Sequence, residues 1–360
     1  MNNYRSPGWL AGDGRLGGHL QTIWPALFSI RYQGPPPVYV RERWATPDHD
    51  FIDVDCQDMP GVQTAAPLQR PLIVLFHGLE GSSRSHYALA FANWARQNGW
   101  RYAVPHFRGC SGEINLAPRA YHSGDYEEIG WILDRMRAAH AGTPMVAVGV
   151  SLGGNALLRW AEEAGDTARR VVNAIAAISA PLDLTAGGTA IGRGVNRQLY
   201  TRMFLNTMVP KALKKAAQYP ELLDARALRR VRDLYEFDNL FTAPLHGFRN
   251  TEDYWSRGSA KPHLHRIRVP TLAINALNDP FVPRHSLPRP DEVGACVTLW
   301  QPKCGGHVGF PRGRWPGHVL TLPEQVMGWM AAHVTHGTPP AHNDVFAPGG
   351  PSWTTSSRLP

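Results

Sequence analysis

The 360-residue sequence predicts an α/β fold: a mostly parallel sheet of eight strands flanked by helices, with a helical cap insertion. Three observations predict it. Short apolar runs bounded by turn residues alternate with stretches of helical periodicity. A glycine-flanked serine, Gly149-Val150-Ser151-Leu152-Gly153, joins one such run to one such helix. Residues of about 181–262 carry helical patterns and many prolines, and they interrupt the alternation before it resumes.

The elements follow in order. Residues 1–37 read as an irregular segment ending in Gly34-Pro35-Pro36-Pro37. A hairpin is predicted from Val38–Thr46 and Phe51–Cys56, followed by a polar loop over 57–70. Pro71–Phe76 is a continuous apolar run, as expected of a strand buried on both faces. A helix fits Ser85–Asn98, stopped by Gly99. Trp100–Phe107 is the next strand, and Asp125–His140 has helical spacing at Ile129, Ile132, Leu133 and Met136. Met145–Val150 leads into the serine, and Gly154–Ala164 reads as the helix after it. Val171–Ser179, Val269–Ala276 and Cys296–Gln301 complete the strands, and Pro323 opens a final helix through about Val334. Residues 38–334 are therefore expected to form one catalytic domain, with a disordered Pro/Gly/Ser/Thr-rich tail over 335–360.

Composition excludes several classes. No run of eighteen apolar residues exists, so no spanning helix is predicted. The first residues have no apolar signal region, which makes the cytoplasm the expected compartment. The formal charge of +8 is dispersed, and no nucleic-acid module signature occurs. The four cysteines form no C-x-x-C pair and are expected to be reduced. His263 and His265 lack a third ligand, and neither a phosphate loop nor a dinucleotide fingerprint is found. Neither metal nor cofactor is expected.

The serine carries the chemistry. A strand, a sharp turn centred on Ser151 and a helix make a nucleophile elbow, which lifts the hydroxyl above the sheet. Glycines stand two positions to either side because larger residues would collide with the neighbouring strand and helix. A serine needs a base and an orienting acid. Asp279 follows the penultimate strand and His307 the last, in the order Ser, Asp, His that such enzymes use. The rivals are Asp183 for the acid and His318 for the base. The amides of Leu79 and Leu152 are the expected oxyanion donors. His77 is expected to brace its loop, and Glu80 to point away from the developing charge. Met203, Phe204, Met208 and Phe241 of the insertion are expected to line the acyl pocket.

Long segments also resemble a known family. They include Gly18-His19-Leu20-Gln21-Thr22, HGLEGSS from His77, Phe107-Arg108-Gly109-Cys110-Ser111-Gly112-Glu113 and Tyr121-His122-Ser123-Gly124. GVSLGGN from Gly149, FDNLFTAPLHGF from Phe237, Asp253-Tyr254, NALNDPF from Asn275 and GGHVGF from Gly305 complete them. Together they resemble the AB hydrolase 4 family of the α/β-hydrolase superfamily, in its YheT-like bacterial branch. The resemblance covers about residues 17–332. It implies an α/β-hydrolase fold with a helical cap, a Ser151–Asp279–His307 triad and serine-esterase chemistry. Eukaryotic members of the family act on acylglycerols or on medium-chain acyl esters.

The expected function is hydrolysis of short- to medium-chain acyl esters through an acyl-serine intermediate, on a small-molecule substrate. Acyl transfer to an alcohol by the same triad is the alternative, and non-catalytic lipid binding is a third reading. The apolar and basic residues between Leu199 and Lys215 also allow peripheral lipid contact without stable insertion.

Overall fold

The computed structural model describes residues 3–10, 12, 14–57 and 70–334. The expected tail, and most of the polar loop over 57–70, lie outside the described residues. An eight-stranded sheet forms the centre: β1 (Tyr39–Ala45), β2 (Phe51–Gln57), β3 (Leu72–Phe76), β4 (Arg101–Pro105), β5 (Met145–Val150), β6 (Ala174–Ile178), β7 (Thr271–Ile274) and β8 (Val297–Trp300). The spatial order is β1-β2-β4-β3-β5-β6-β7-β8. β1 and β2 pair antiparallel with each other, and β2 pairs antiparallel with β4. Every pairing from β4 to β8 is parallel.

The central strands are apolar throughout because both faces are covered. Along β3, Val74 and Phe76 face one core, with Ile129, Leu133 and Leu157. Ile73 and Leu75 face the other, with Phe91, Val326 and Met330. Alternation of side chains across the pleat separates these two sets. Burying each such side chain contributes about 1.5–3 kcal/mol. The first face is covered by α3 (Tyr126–Ala139) and α4 (Leu152–Ala164). The second is covered by α2 (His86–Asn98) and the last helix, Thr321–Val334. Gly99 ends α2 in the left-handed conformation, φ 70°, as a C-cap glycine does.

Residues 1–37 are not uniformly irregular. Arg15–Leu27 forms a helix, α1, despite Gly17, Gly18 and Pro25. Local propensity argues against it, since each glycine costs about 1 kcal/mol and proline removes a helical hydrogen bond. Tertiary docking overrides that preference. A Cβ on Gly18 would lie 2.0 Å from the carbonyl oxygen of Asn278, so glycine is what lets α1 press onto the loop after β7.

Between β6 and β7 the chain builds the helices Leu184–Ile191, Arg202–Gln218 and Thr251–Gly258, with shorter turns among them. This segment has its own small core of Ala212, Ala216, Leu223, Leu228, Phe237 and Phe241. It emerges from the carboxyl end of β6, the edge at which α/β sheets place their sites.

Candidate active site

Ser151 lies between β5 and α4 with φ 53°, a left-handed conformation that a serine adopts only under constraint. The neighbouring glycines have a steric reason. A Cβ on Gly149 would lie 2.5 Å from the carbonyl oxygen of Gly153, and one on Gly153 would lie 2.5 Å from that of His77. The strand-turn-helix is thus pulled tight, and the hydroxyl is lifted to the carboxyl edge of the sheet.

Two strand exits converge on it. His307 Nε2 lies 2.9 Å from Ser151 Oγ, and His307 Nδ1 lies 2.9 Å from Asp279 Oδ2. A carboxylate can only accept at Nδ1, so that nitrogen carries the proton and Nε2 faces the serine as an acceptor. Asp279 is buried, and its other oxygen accepts the amides of Phe281 (2.8 Å) and Val282 (3.3 Å). The ring of Phe281 packs on the imidazole with centroids 4.2 Å apart.

The rivals sit elsewhere. Asp183 caps the helix Leu184–Ile191 by accepting the Ala186 amide. His318 lies in a short bridge with Ile30 and Arg312, and burial and the Arg312 charge push its pKa down. His77 is fully buried: its Nδ1 pairs with the Gly78 carbonyl and its Nε2 accepts the Phe107 amide. Burial and the neighbouring His106 push its pKa down to about 3, so it stays neutral and braces the loop. His263 and His265 fall in the turn Lys261–Arg266, and no group among the described residues is arranged to hold a metal ion.

Leu79 lies in the loop after β3 and Leu152 opens α4 directly after the serine. Both residues line a cavity of about 70 Å³. Met208, Phe237 and Phe241 close it from the insertion, and Tyr121 closes it from the body. Glu80 also lines this cavity. Its positive φ of 57° turns it toward the insertion, where Lys211 Nζ sits 2.9 Å from one oxygen and the Tyr121 hydroxyl donates to the other. The lysine offsets the Glu80 charge.

The expected pocket residues divide. Met208 and Phe241 line the cavity. Met203 does not: it is 53% exposed, on the outer face of the helix Arg202–Gln218. Phe204 is also outside the cavity lining. It packs on Phe281, 6.1 Å between ring centroids, and so stands behind the histidine. The helix period places 203 and 204 about 100° apart, which composition alone does not orient.

Sequence reasoning missed the support supplied by α1. Thr22 Oγ accepts the His307 amide at 2.8 Å. Gln21 Oε1 accepts from Asn278 Nδ2 (3.0 Å) and from the Gly305 amide (2.8 Å). Gln21 is fully buried. The signal was present in the matching segment Gly18-His19-Leu20-Gln21-Thr22, whose polar residues have no reason to recur in an irregular leader. Asn155, four residues after the serine, is a second such group. Its buried amide donates to the carbonyls of Ser123 and Gly258 and accepts the Ala260 amide, tying α4 to the end of the insertion.

Comparison with known proteins agrees with this architecture. A family model described as alpha/beta hydrolase fold matches residues 71–313. The Escherichia coli protein named "Putative esterase YheT" is 38% identical over 88% of this chain and 91% of its own length. Mouse phospholipase ABHD3 is 29% identical over 84% of this chain and 74% of its own. Among solved structures, ferulic acid-bound Est1E from Butyrivibrio proteoclasticus superposes with a TM-score of 0.51. It is 16% identical, and the match covers 83% of this chain and 99% of that one, a likeness of fold alone. The chain belongs to the α/β-hydrolases, in the AB hydrolase 4, YheT-like branch.

Proposed function

We propose that the protein is a serine esterase that cleaves short- to medium-chain acyl esters through an acyl-serine intermediate. The observation that carries this reading is the continuous hydrogen-bonded chain from Ser151 Oγ through His307 to Asp279. Names of relatives support the class: besides the two above, a yeast monoacylglycerol lipase is 27% identical over 68% of this chain.

In this reading Ser151 Oγ attacks the ester carbonyl while His307 Nε2 takes its proton. The carbonyl oxygen becomes an oxyanion and receives the amides of Leu79 and Leu152. The tetrahedral adduct collapses, the C–O bond to the alcohol breaks, and His307 returns the proton to the departing alkoxide. Water, deprotonated by His307, then attacks the acyl-serine and releases the acid. Asp279 holds the imidazole tautomer and stabilises its charged form throughout.

The acyl chain is assigned to the cavity under Met208 and Phe241. An apolar cavity of about 150 Å³ accepts a six-carbon ring, so about 70 Å³ suits roughly three carbons beyond the carbonyl without movement of the insertion. The test is a panel of p-nitrophenyl esters from acetate to palmitate, run with wild type and Ser151→Ala. The expected result is a kcat/KM maximum near butyrate and a loss of about 10³-fold or more in the variant. Retention of a tenth of wild-type turnover by folded Ser151→Ala removes the assignment. Product analysis with added ethanol reads the split between hydrolysis and acyl transfer.

A further inference from the structure

Several large apolar side chains remain exposed, and many of them gather on one side. On α1, Leu16 (69% exposed), Leu20 (36%) and Leu27 (60%) project within about 40° of one another around the helix axis. The patch continues through aromatic contacts. Trp24 packs against Trp9 (5.7 Å), Phe28 (4.7 Å) and Trp315 (6.3 Å), and Trp315 is 70% exposed. Toward the insertion, His19 of α1 stacks on Tyr200, whose neighbours Leu199 and Met203 are 43% and 53% exposed. An apolar area shared by three chain segments exceeds what scattered surface residues explain.

Arginine dominates the rim of this area, although Glu236 faces Arg197 and Glu324 lies near His318. Arg193, Arg197 and Arg202 are exposed on the insertion side, and Arg312 and Arg314 on the loop that carries Trp315. The contributing segments 14–41, 184–218 and 303–323 contain no aspartate or glutamate at all. That is unusual in a chain with 29 acidic residues. A face of leucine and tryptophan framed mainly by arginine, on segments that carry no carboxylate of their own, matches a bilayer with anionic headgroups: apolar side chains enter the acyl boundary and guanidinium groups pair with phosphate. A protein partner would need acidic density to match that rim, plus a shaped apolar counterpart. A second copy would bring the same positive rim against itself.

The inner side of the same helix holds the candidate site. Thr22 of α1 accepts the His307 amide, and Phe204, one position beyond exposed Met203, packs on the Phe281 that covers His307. The surface and the site therefore share α1 and the start of the helix Arg202–Gln218.

We infer that α1, the Trp315 loop and the Leu199–Met203 segment form an interfacial docking surface, by which the protein adsorbs reversibly to anionic membranes with its site at the lipid boundary. Among the described residues no helix is long and apolar enough to cross a membrane, so adsorption is the form such contact takes.

Vesicle flotation of the full chain tests this without turnover, so it fails or succeeds separately from the esterase assignment. The vesicles are pure phosphatidylcholine, or equal parts phosphatidylcholine and phosphatidylglycerol. Co-flotation is expected with the mixed vesicles only, and high salt should weaken it. Leu16→Gln/Leu27→Gln and Arg312→Gln/Arg314→Gln should each lower partitioning by about tenfold or more. Both variants should keep the wild-type circular dichroism spectrum and thermal unfolding midpoint, which certifies their fold. Three results overturn the proposal: no flotation with anionic vesicles, flotation that both variants retain, or self-association that the leucine variant dissolves while vesicle binding is absent.

Discussion

The amide of His307 donates to the hydroxyl of Thr22 at 2.8 Å, across 285 residues of sequence. The same hydroxyl lies 2.7 Å from the Gly18 carbonyl, one turn back in α1. A helix near the N-terminus thus grips the loop that presents the histidine. That loop needs gripping: Gly306 and Val308 on either side of His307 have φ of 61° and 60°. Backbone held in this region costs about 1–3 kcal/mol per non-glycine residue and persists only when its surroundings impose it.

Thr22→Val keeps the shape and removes the acceptor. The partly buried His307 amide then loses this partner, at a cost of about 1–3 kcal/mol. We expect kcat to fall by about tenfold or more through misplacement of the imidazole, with a much smaller change in KM. Thr22→Ser should restore most of the rate. Steady-state kinetics on p-nitrophenyl butyrate check this. Equal loss in Thr22→Ser, or a change in KM alone, removes the positioning role.

Exchange of the two acids and of the two histidines separates the candidate site from its rivals. Asp279→Asn and His307→Ala should each lose about 10³-fold or more, because the members act as a unit. Asp183→Asn should retain most activity, since it loses only part of a helix cap. His318→Ala should likewise be mild. Comparison of kcat/KM across the four variants at one pH is sufficient, and an inactive His318→Ala moves the base.

The insertion residues should not behave alike. Phe241→Ala enlarges the cavity and should move the preferred ester to longer chains, each added methylene contributing about 0.8 kcal/mol until the space is filled. Met208→Ala should act in the same direction. Phe204→Ala should instead lower the rate on every ester, acetate included, because it loosens Phe281 against His307. Met203→Ala should leave the chain-length profile unchanged. A profile that responds to Met203 and ignores Phe241 places the acyl chain elsewhere.

Acid stability should depend on Asp55. Burial alone would raise its pKa, but hydrogen bonds from His106, Arg41 and Ser83 outweigh that and hold it well below the usual carboxylate range. The unfolded chain therefore binds the proton first. Stability from this group is complete above the ordinary carboxylate value and declines as pH falls from there toward the depressed one. Asp55→Asn should lower stability near neutral pH and flatten its dependence between about pH 5 and 2. Denaturant titrations at several pH values measure both. An Asp55→Asn slope equal to that of wild type excludes this group as a source of acid lability.

Much of the architecture was legible because its signals are local. β3 and β5 are apolar along their whole length since both faces are covered, and an uninterrupted run is readable without knowing the partner strands. The elbow was readable because steric crowding at one turn demands glycine at two fixed spacings. Asp279 and His307 were readable as strand exits, because sheet topology brings such exits to one edge.

The remaining features depend on contacts between segments far apart in sequence. The helicity of α1 is opposed by Gly17, Gly18 and Pro25, and only docking on Asn278 makes Gly18 favourable there. The partition of Met203, Phe204, Met208 and Phe241 between solvent, histidine and cavity depends on how the insertion is rotated over the body, which residue type does not specify. The pairing of Glu80 with Lys211 and Tyr121 is of the same kind. The sequence by itself determined the strand–helix order, the elbow and the residues at the strand exits, through short-range sterics and periodicity. Tertiary structure alone decided what supports His307 and what closes the cavity beside Leu79 and Leu152, because those contacts exist only once the sheet has gathered its edges.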